Sequence, residues 1–142
     1  ILYGTQNGNA EYVAIEISNR LPLKNPEVLS LDDALPIFER KEFNHEFIIV
    51  TSTTGNGDVP LSAEKWWRFI KNRQLDKNHL TDFKFHLLAI GDSNYDKFCG
   101  AGKKVCKRLL ELNATKISDI MVIDDALDEY EEKLEKFEDR FI

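Results

Sequence analysis

Phe47-Ile48-Ile49-Val50 is apolar without interruption and Thr51 extends it with a further β-branched residue; a second run, residues 85–90, is broken only by His86. A half-exposed strand alternates between apolar and polar residues, so unbroken runs of this kind belong to strands covered on both faces. Elsewhere the apolar positions recur at spacings of three and four. Ala10, Val13, Ala14, Ile17 and Leu21 form one such set, Trp66, Phe69 and Ile70 a second, Val105, Leu109 and Leu112 a third, and Leu127, Tyr130, Leu134, Phe137 and Phe141 a fourth. Each set falls on one stripe of a helix. The pattern therefore predicts helices over residues 10–21, 62–73, 103–112 and about 126–141. Pro22 and Pro26 close the first, and Asn113 suits the left-handed residue that ends the third. Shorter apolar stretches at 1–3, 27–31 and 117–123 complete the strands. A weaker helical stretch runs from 32 to about 40, interrupted by Pro36.

Strand and helix alternate five times with no repeat and no linker, which predicts an α/β fold: a doubly wound, five-stranded parallel sheet with helices on both faces, formed as one domain over residues 1–142. Ligands of such sheets sit at the carboxyl ends of the strands, where strand order reverses. The loops at that edge are residues 4–9, 52–60, 91–102 and 124–126.

Charge narrows the partners. The chain carries a formal net charge of −6 over 142 residues, which argues against a general nucleic-acid binder. Residues 119–142 hold 10 Asp and Glu against 3 Lys and Arg, so the acidity is concentrated at one end. The longest apolar runs, such as 47–50 and 120–123, have four residues, far short of the roughly 20 that span a bilayer. Cys99 and Cys106 build neither a disulfide framework nor a four-ligand metal site, and a reducing, cytosolic setting is expected, with both thiols buried as small apolar groups. The chain opens directly on Ile1-Leu2-Tyr3, which suggests a domain cut from a longer chain.

The loops carry the chemistry. Gly4-Thr5-Gln6-Asn7-Gly8-Asn9 delivers the chain into a helix N-terminus, where free N–H groups and the helix dipole attract an anion, and Thr5, Asn7 and Asn9 add neutral donors. The Gly-Lys-Ser/Thr ending of a triphosphate loop is absent, so the anion would be anchored without lysine or arginine. An ordinary strand-to-helix turn would have the same composition. Ser52-Thr53-Thr54-Gly55-Asn56-Gly57-Asp58-Val59-Pro60 is small, polar and able to approach a flat ligand closely, and it lacks the third glycine of a dinucleotide fingerprint. Tyr95, with Phe98 three residues on, offers a ring for stacking, although a packed surface aromatic would read the same way. Jointly the loops call for a terminal phosphate at the first and a planar heteroaromatic between the others, a description that flavin mononucleotide (FMN) fits.

Thr5-Gln6-Asn7-Gly8-Asn9-Ala10, Thr51-Ser52-Thr53-Thr54-Gly55-Asn56-Gly57-Asp58 and Gly91-Asp92-Ser93-Asn94-Tyr95 resemble, in order and spacing, the motifs of the flavodoxin family, and the chain is similar to the FMN-binding domain of the NADPH-dependent diflavin reductases. Thr53–Asp58 and Asp96-Lys97-Phe98-Cys99 resemble the methionine synthase reductase branch, Trp67-Arg68-Phe69-Ile70 the branch serving cytosolic iron–sulfur assembly. The resemblance implies that Thr5, Gln6, Asn7, Gly8, Asn9 and Ala10 hold the FMN phosphate. It implies that Ser52, Thr53, Thr54 and Gly55 flank one face of the flavin ring and Tyr95 the other. Ile90, Gly91, Asp92, Ser93, Asn94, Phe98 and Cys99 would complete the pocket, with the Gly55, Asn56 and Gly57 peptides at flavin N5 and Asp125 at the ring edge. Thr54 stands where many relatives carry a second aromatic, a lost stack worth roughly 1 kcal/mol. Asp92, Asp96 and Asp125 would oppose added negative charge on the ring, and Asp128, Glu129, Glu131 and Glu132 offer a surface that steers a basic partner, or simply a solvated helix face.

The function so implied is electron transfer: electrons arrive from a reductase module that carries FAD and NADPH, in the same full-length chain, and leave to a metalloprotein acceptor. A free-standing flavodoxin is the alternative. A phosphorylatable receiver domain of the same topology needs acids where Thr5-Gln6 and Thr51-Ser52 stand.

Overall fold

In the computed structural model, which describes residues 1–21, 26–54, 57–94 and 97–141, the two unbroken apolar runs form the centre of the sheet. β3 (Phe47–Thr51) and β4 (Lys84–Gly91) pair in parallel from Phe47↔Phe85 to Thr51↔Ala89, and of their residues only Lys84 is exposed. β1 (Leu2–Gly4) pairs with the other side of β3, and β2 (Leu29–Ser30) lies outside β1. Strand order therefore reverses between β1 and β3.

Both faces are covered. Ile48 and Val50 of β3 pack with Val13, Ala14 and Ile17 of α1 (Asn9–Arg20) and with Leu134 and Phe137 of α5 (Tyr130–Asp139). Phe47 and Ile49, on the opposite face, pack with Phe38 of α2 (Leu35–Arg40), Trp66 and Ile70 of α3 (Glu64–Ile70), and Val105 and Leu109 of α4 (Gly100–Glu111). The double burial is the physical reason why neither central strand alternates.

The fifth strand departs from expectation. Instead of one strand over 117–123, two segments lie along the free edge of β4: β5 (Thr115–Lys116) and β6 (Met121–Asp124). Between the pairs Phe85↔Lys116 and Leu88↔Met121 the chain takes five steps while β4 takes three. The cause is the histidine that interrupts the apolar run of β4. His86 is buried, and the hydroxyl of Ser118 leaves the strand line to meet its Nδ1 at 2.9 Å. Arg140 fixes the bulge by donating to Ser118 Oγ and Asp119 O, each at 2.9 Å.

Several helix limits also move. Pro36 sits in the first turn of α2, where its missing N–H has no intrahelical role, so it starts the helix rather than interrupting it. The stretch expected to be helical from 62 to 73 is a 3-10 turn, Leu61–Ala63, followed by α3, which ends where Arg108 takes its last carbonyl and one just beyond: Nε donates to Ile70 O at 2.7 Å and Nη2 to Asn72 O at 3.0 Å. α4 begins at Gly100, before the expected 103, and α5 begins at Tyr130 because residues 125–128 fold into a turn of their own. Asn113 is left-handed, with φ 67°. Pro22 lies outside the described residues.

Candidate functional site

The first loop is braced from below. Ser52 N–H donates to Gly4 O at 2.9 Å, Thr5 N–H to Ser62 Oγ at 2.7 Å, and Leu61 N–H to Gln6 Oε1 at 2.9 Å. Gly8 then turns left-handed, φ 94°, and donates its N–H to Thr5 Oγ1 at 2.8 Å, which leaves the Thr5 hydroxyl proton free to donate elsewhere. No side chain caps α1, so the N–H groups of its first turn and the positive end of its dipole face outward.

The second and third loops lean on each other. Gly57 N–H donates to Thr54 O at 2.9 Å and Asp58 N–H to Thr54 Oγ1 at 3.1 Å, closing the 52–60 loop on itself. Ala101 N–H donates to Thr53 Oγ1 at 3.3 Å, and a Cβ on Gly100 would stand 3.1 Å from Gly57 Cα. At the start of the 91–102 loop the backbone of Cys99 presses on Gly91, where a Cβ would come within 2.7 Å of the Cys99 nitrogen. The Cys99 thiol is fully buried and donates to Ala89 O at 3.6 Å; burial pushes its pKa up to about 11.

The fourth loop closes the edge. Asp125 N–H donates to Gly91 O at 2.7 Å, continuing the β4–β6 pairing, and Tyr130 donates its hydroxyl to Asp125 Oδ1 at 2.7 Å. Burial and that bond both raise the Tyr130 pKa, so the phenol stays protonated. Asp124 is buried, and its Oδ1 accepts the N–H groups of Ser93 at 3.1 Å and Ala126 at 3.0 Å.

These contacts bring the four loops around one open cleft of about 380 Å³ at the carboxyl edge. Gln6, Asn7 and Asn9 line it from the first loop and Ser52, Thr53 and Thr54 from the second. Ile90, Gly91, Asp92, Phe98 and Cys99 come from the third and Asp125 from the fourth. Thr5 and Gly8 are half-buried within the first loop and bonded to each other, and Ala10 is fully buried in the core; none of the three lines the cleft. Gly57 sits behind the cleft under the Lys97 side chain, and Ser93 and Asn94 are exposed at the rim, with Asn94 N–H on Asp92 Oδ1 at 2.9 Å. Gly55, Asn56, Tyr95 and Asp96 lie outside the described residues. A larger hollow of about 740 Å³ opens at the opposite, amino edge of the strands and contains none of these loop residues.

Two site features were missed. Lys97 lines the cleft, so a positive side chain is present in the cleft although the first loop itself carries none. Its stem packs on Gly57, an approach that no local pattern announces. Asp124 was passed over for its neighbour Asp125; the available signal was a carboxylate at the last position of an otherwise apolar strand.

The donor set fits FMN. An uncapped helix N-terminus with a hydroxyl and two amides suits a phosphate monoester, and loops of glycine and threonine facing Ile90 and Phe98 suit a flat ring. A parallel sheet in the order β2-β1-β3-β4 with the split fifth strand outermost, and a cleft at its β1/β3 reversal, defines a doubly wound nucleotide-binding domain. The flavodoxin family model matches residues 1–137, and the chain belongs to the flavodoxin family. It is 36% identical over 131 residues to methionine synthase reductase of Bos taurus, covering 89% of this chain and 18% of that protein. It is 34% identical over 128 residues to NADPH-dependent diflavin oxidoreductase 1 of Yarrowia lipolytica, covering 88% and 18%. The chain thus spans less than a fifth of the length of these relatives. Among solved structures, oxidised flavodoxin 2 of Bacillus cereus superposes with a TM-score of 0.76 at 26% identity, over 99% of this chain and 94% of that one.

Proposed function

We propose that this chain is the FMN domain of an NADPH-dependent diflavin oxidoreductase and works as its electron carrier. The observation that carries the reading is the convergence of four loops on one cleft beside an uncapped helix N-terminus. The higher identity to the two reductases, 36% and 34%, than to the flavodoxin, 26%, favours a reductase domain over a free-standing flavodoxin.

FMN, when bound, supplies one- and two-electron redox chemistry. The chain's own residues bind, orient and tune. The first turn of α1, the Thr5 hydroxyl and the Asn7 and Asn9 amides hold the phosphate. Thr53 and Thr54 would form one wall of the ring site, and Ile90, Gly91, Phe98 and Cys99 the other. Asp92 and Asp125 place negative charge at the rim and Lys97 offsets part of it, so the balance sets how readily the site accepts an electron. Electrons come from an FAD- and NADPH-binding module of the same full-length protein and pass to a metalloprotein. The two free cysteines, Cys99 and Cys106, both buried, support a cytosolic setting.

Loading the purified chain with FMN and reducing it stepwise tests this reading. A yellow complex that takes up electrons in two resolved steps supports it; a chain that stays colourless after FMN addition and gel filtration contradicts it.

A further inference from the structure

Asp124 is the last residue of β6, paired in register with Gly91, the last residue of β4. Its side chain is 6% exposed and does not line the cleft, whereas Asp125 does. A carboxylate out of water must have its lone pairs satisfied, and here a single oxygen, Oδ1, takes two peptide N–H groups from two different loops, Ser93 at 3.1 Å and Ala126 at 3.0 Å. The backbone of Asp124 is itself pinned, since its N–H donates to Glu129 Oε1 at 2.8 Å. The next residue, Asp125, returns a bond to Gly91 O. The turn that leads from Gly91 toward residue 95 is thus held from one side by Asp124 and stiffened from within by Asp92, which accepts the Asn94 N–H.

We infer that Asp124 is a positioning residue for the cofactor: its Oδ1 clamps the 91–94 turn to the 124–126 turn and so fixes the slot between the loop that faces the ring and the rim that carries Asp125. The inference rests on the reading of the cleft as an FMN site, and the clamp itself is a property of the chain alone. The Ser93 hydroxyl and the two peptide N–H groups hold the carboxyl below the ordinary carboxylate range, so the clamp stays formed well into mild acid. The geometry also separates acceptor from charge. Asp124→Asn keeps an oxygen at the Oδ1 position and removes the charge; Asp124→Glu keeps the charge and displaces the oxygens by one methylene.

The test compares wild type, D124N and D124E by FMN titration and by amide hydrogen exchange of Ser93 and Ala126 in the flavin-free chain, with far-UV circular dichroism as the check of folding. D124N is expected to bind FMN within about threefold of wild type and to keep both amides protected. D124E is expected to bind about tenfold or more weakly, with both amides exchanging at least about tenfold faster. If D124E does not fold, D124A, which removes the acceptor without added bulk, takes its place with the same expectation. Wild-type affinity and protection in D124E, or equal losses in D124N and D124E, would overturn the inference. If wild type itself fails to bind FMN, the cofactor reading falls, and the exchange rates still decide whether the clamp exists.

Discussion

Gly91 and Gly8 are both glycines of cleft loops, and they are glycines for different reasons. A methyl group at Gly91 would lie 2.7 Å from the backbone nitrogen of buried Cys99 and 2.9 Å from its sulfur, so chain as well as side chain would have to move. At Gly8 nothing lies within 4 Å, and only the left-handed backbone, φ 94°, resists a side chain. Gly91→Ala should therefore destabilise the fold by about 3 kcal/mol, in the range of overpacked cores, and Gly8→Ala by about 1 kcal/mol of backbone strain. Urea unfolding of the two variants checks the order; a larger loss for Gly8→Ala would contradict it. Cys99 beside Gly91 gives a second test. With its pKa raised to about 11 by burial, against a smaller opposing effect of Lys103, the thiol is protonated at pH 8. Alkylation by iodoacetamide should then proceed no faster than unfolding exposes it, whereas rapid labelling of the native chain would place the sulfur in solvent.

Among the elements, α3 shows how a short helix is stopped. Its two or so turns cannot hold themselves, and the half-buried Arg108 of α4 takes the carbonyls of Ile70 and Asn72 with two nitrogens of one guanidinium. Arg108→Ala should cost about 2 kcal/mol, seen as a lower urea midpoint with an unchanged slope, and Arg108→Lys should recover less than half because a lysine lacks the fork. A loss below about 0.5 kcal/mol would mean that water replaces the guanidinium freely. Such contacts explain which elements could be read from the chain. The strand at 47–51 was legible to the residue because double burial leaves an unbroken apolar run, and the stripe of α1 was legible because it packs on a sheet face. The broken fifth strand was not, since Ile117 and Ile120 look like strand residues and the break is dictated by a histidine some 30 positions earlier. The start of α5 was hidden for a similar reason: Asp124 and Glu129 spend their side chains on the turn before it. All four loops of the cleft could be named from topology and composition, whereas the place of Lys97 on its wall and of Asp124 behind it depends on contacts made only in three dimensions.

At the scale of the molecule, the helices on the two faces of the sheet differ in net charge, acidic on one and basic on the other. α5 brings Glu131, Glu132, Glu135, Glu138 and Asp139 to the face it shares with α1, while α3 and α4 bring Lys65, Arg68, Lys103, Lys104 and Lys107 to the other. Where the two faces meet at the amino half of β4, His86 joins β4 to Glu46 before β3, to Ser118 in the bulge, and to Phe137 and Phe141 at the end of the chain, while Arg140 donates to the same Ser118 hydroxyl. Burial lowers its pKa, helped by Arg140 and opposed by Glu46 at 3.6 Å. The unfolded chain therefore takes up a proton on this histidine at higher pH than the native one does. Stability should fall as pH drops below about 6.5 and go on falling until the lowered native pKa is reached. Unfolding midpoints at pH 7.5, 6.5 and 5.5 should decline in wild type and decline less in His86→Gln; equal slopes would assign the acid sensitivity elsewhere.

Placement of the phosphate at the start of α1 is the claim on which the functional account turns. Parallel titrations of the chain with FMN and with riboflavin, followed by flavin fluorescence, test it most directly, because the two ligands share a ring and differ in the anion. The account predicts one FMN bound per chain and riboflavin binding weaker by at least about tenfold, the loss expected when a charged group leaves a set of N–H donors. Equal affinity for the two, or no change in fluorescence with either, would contradict it.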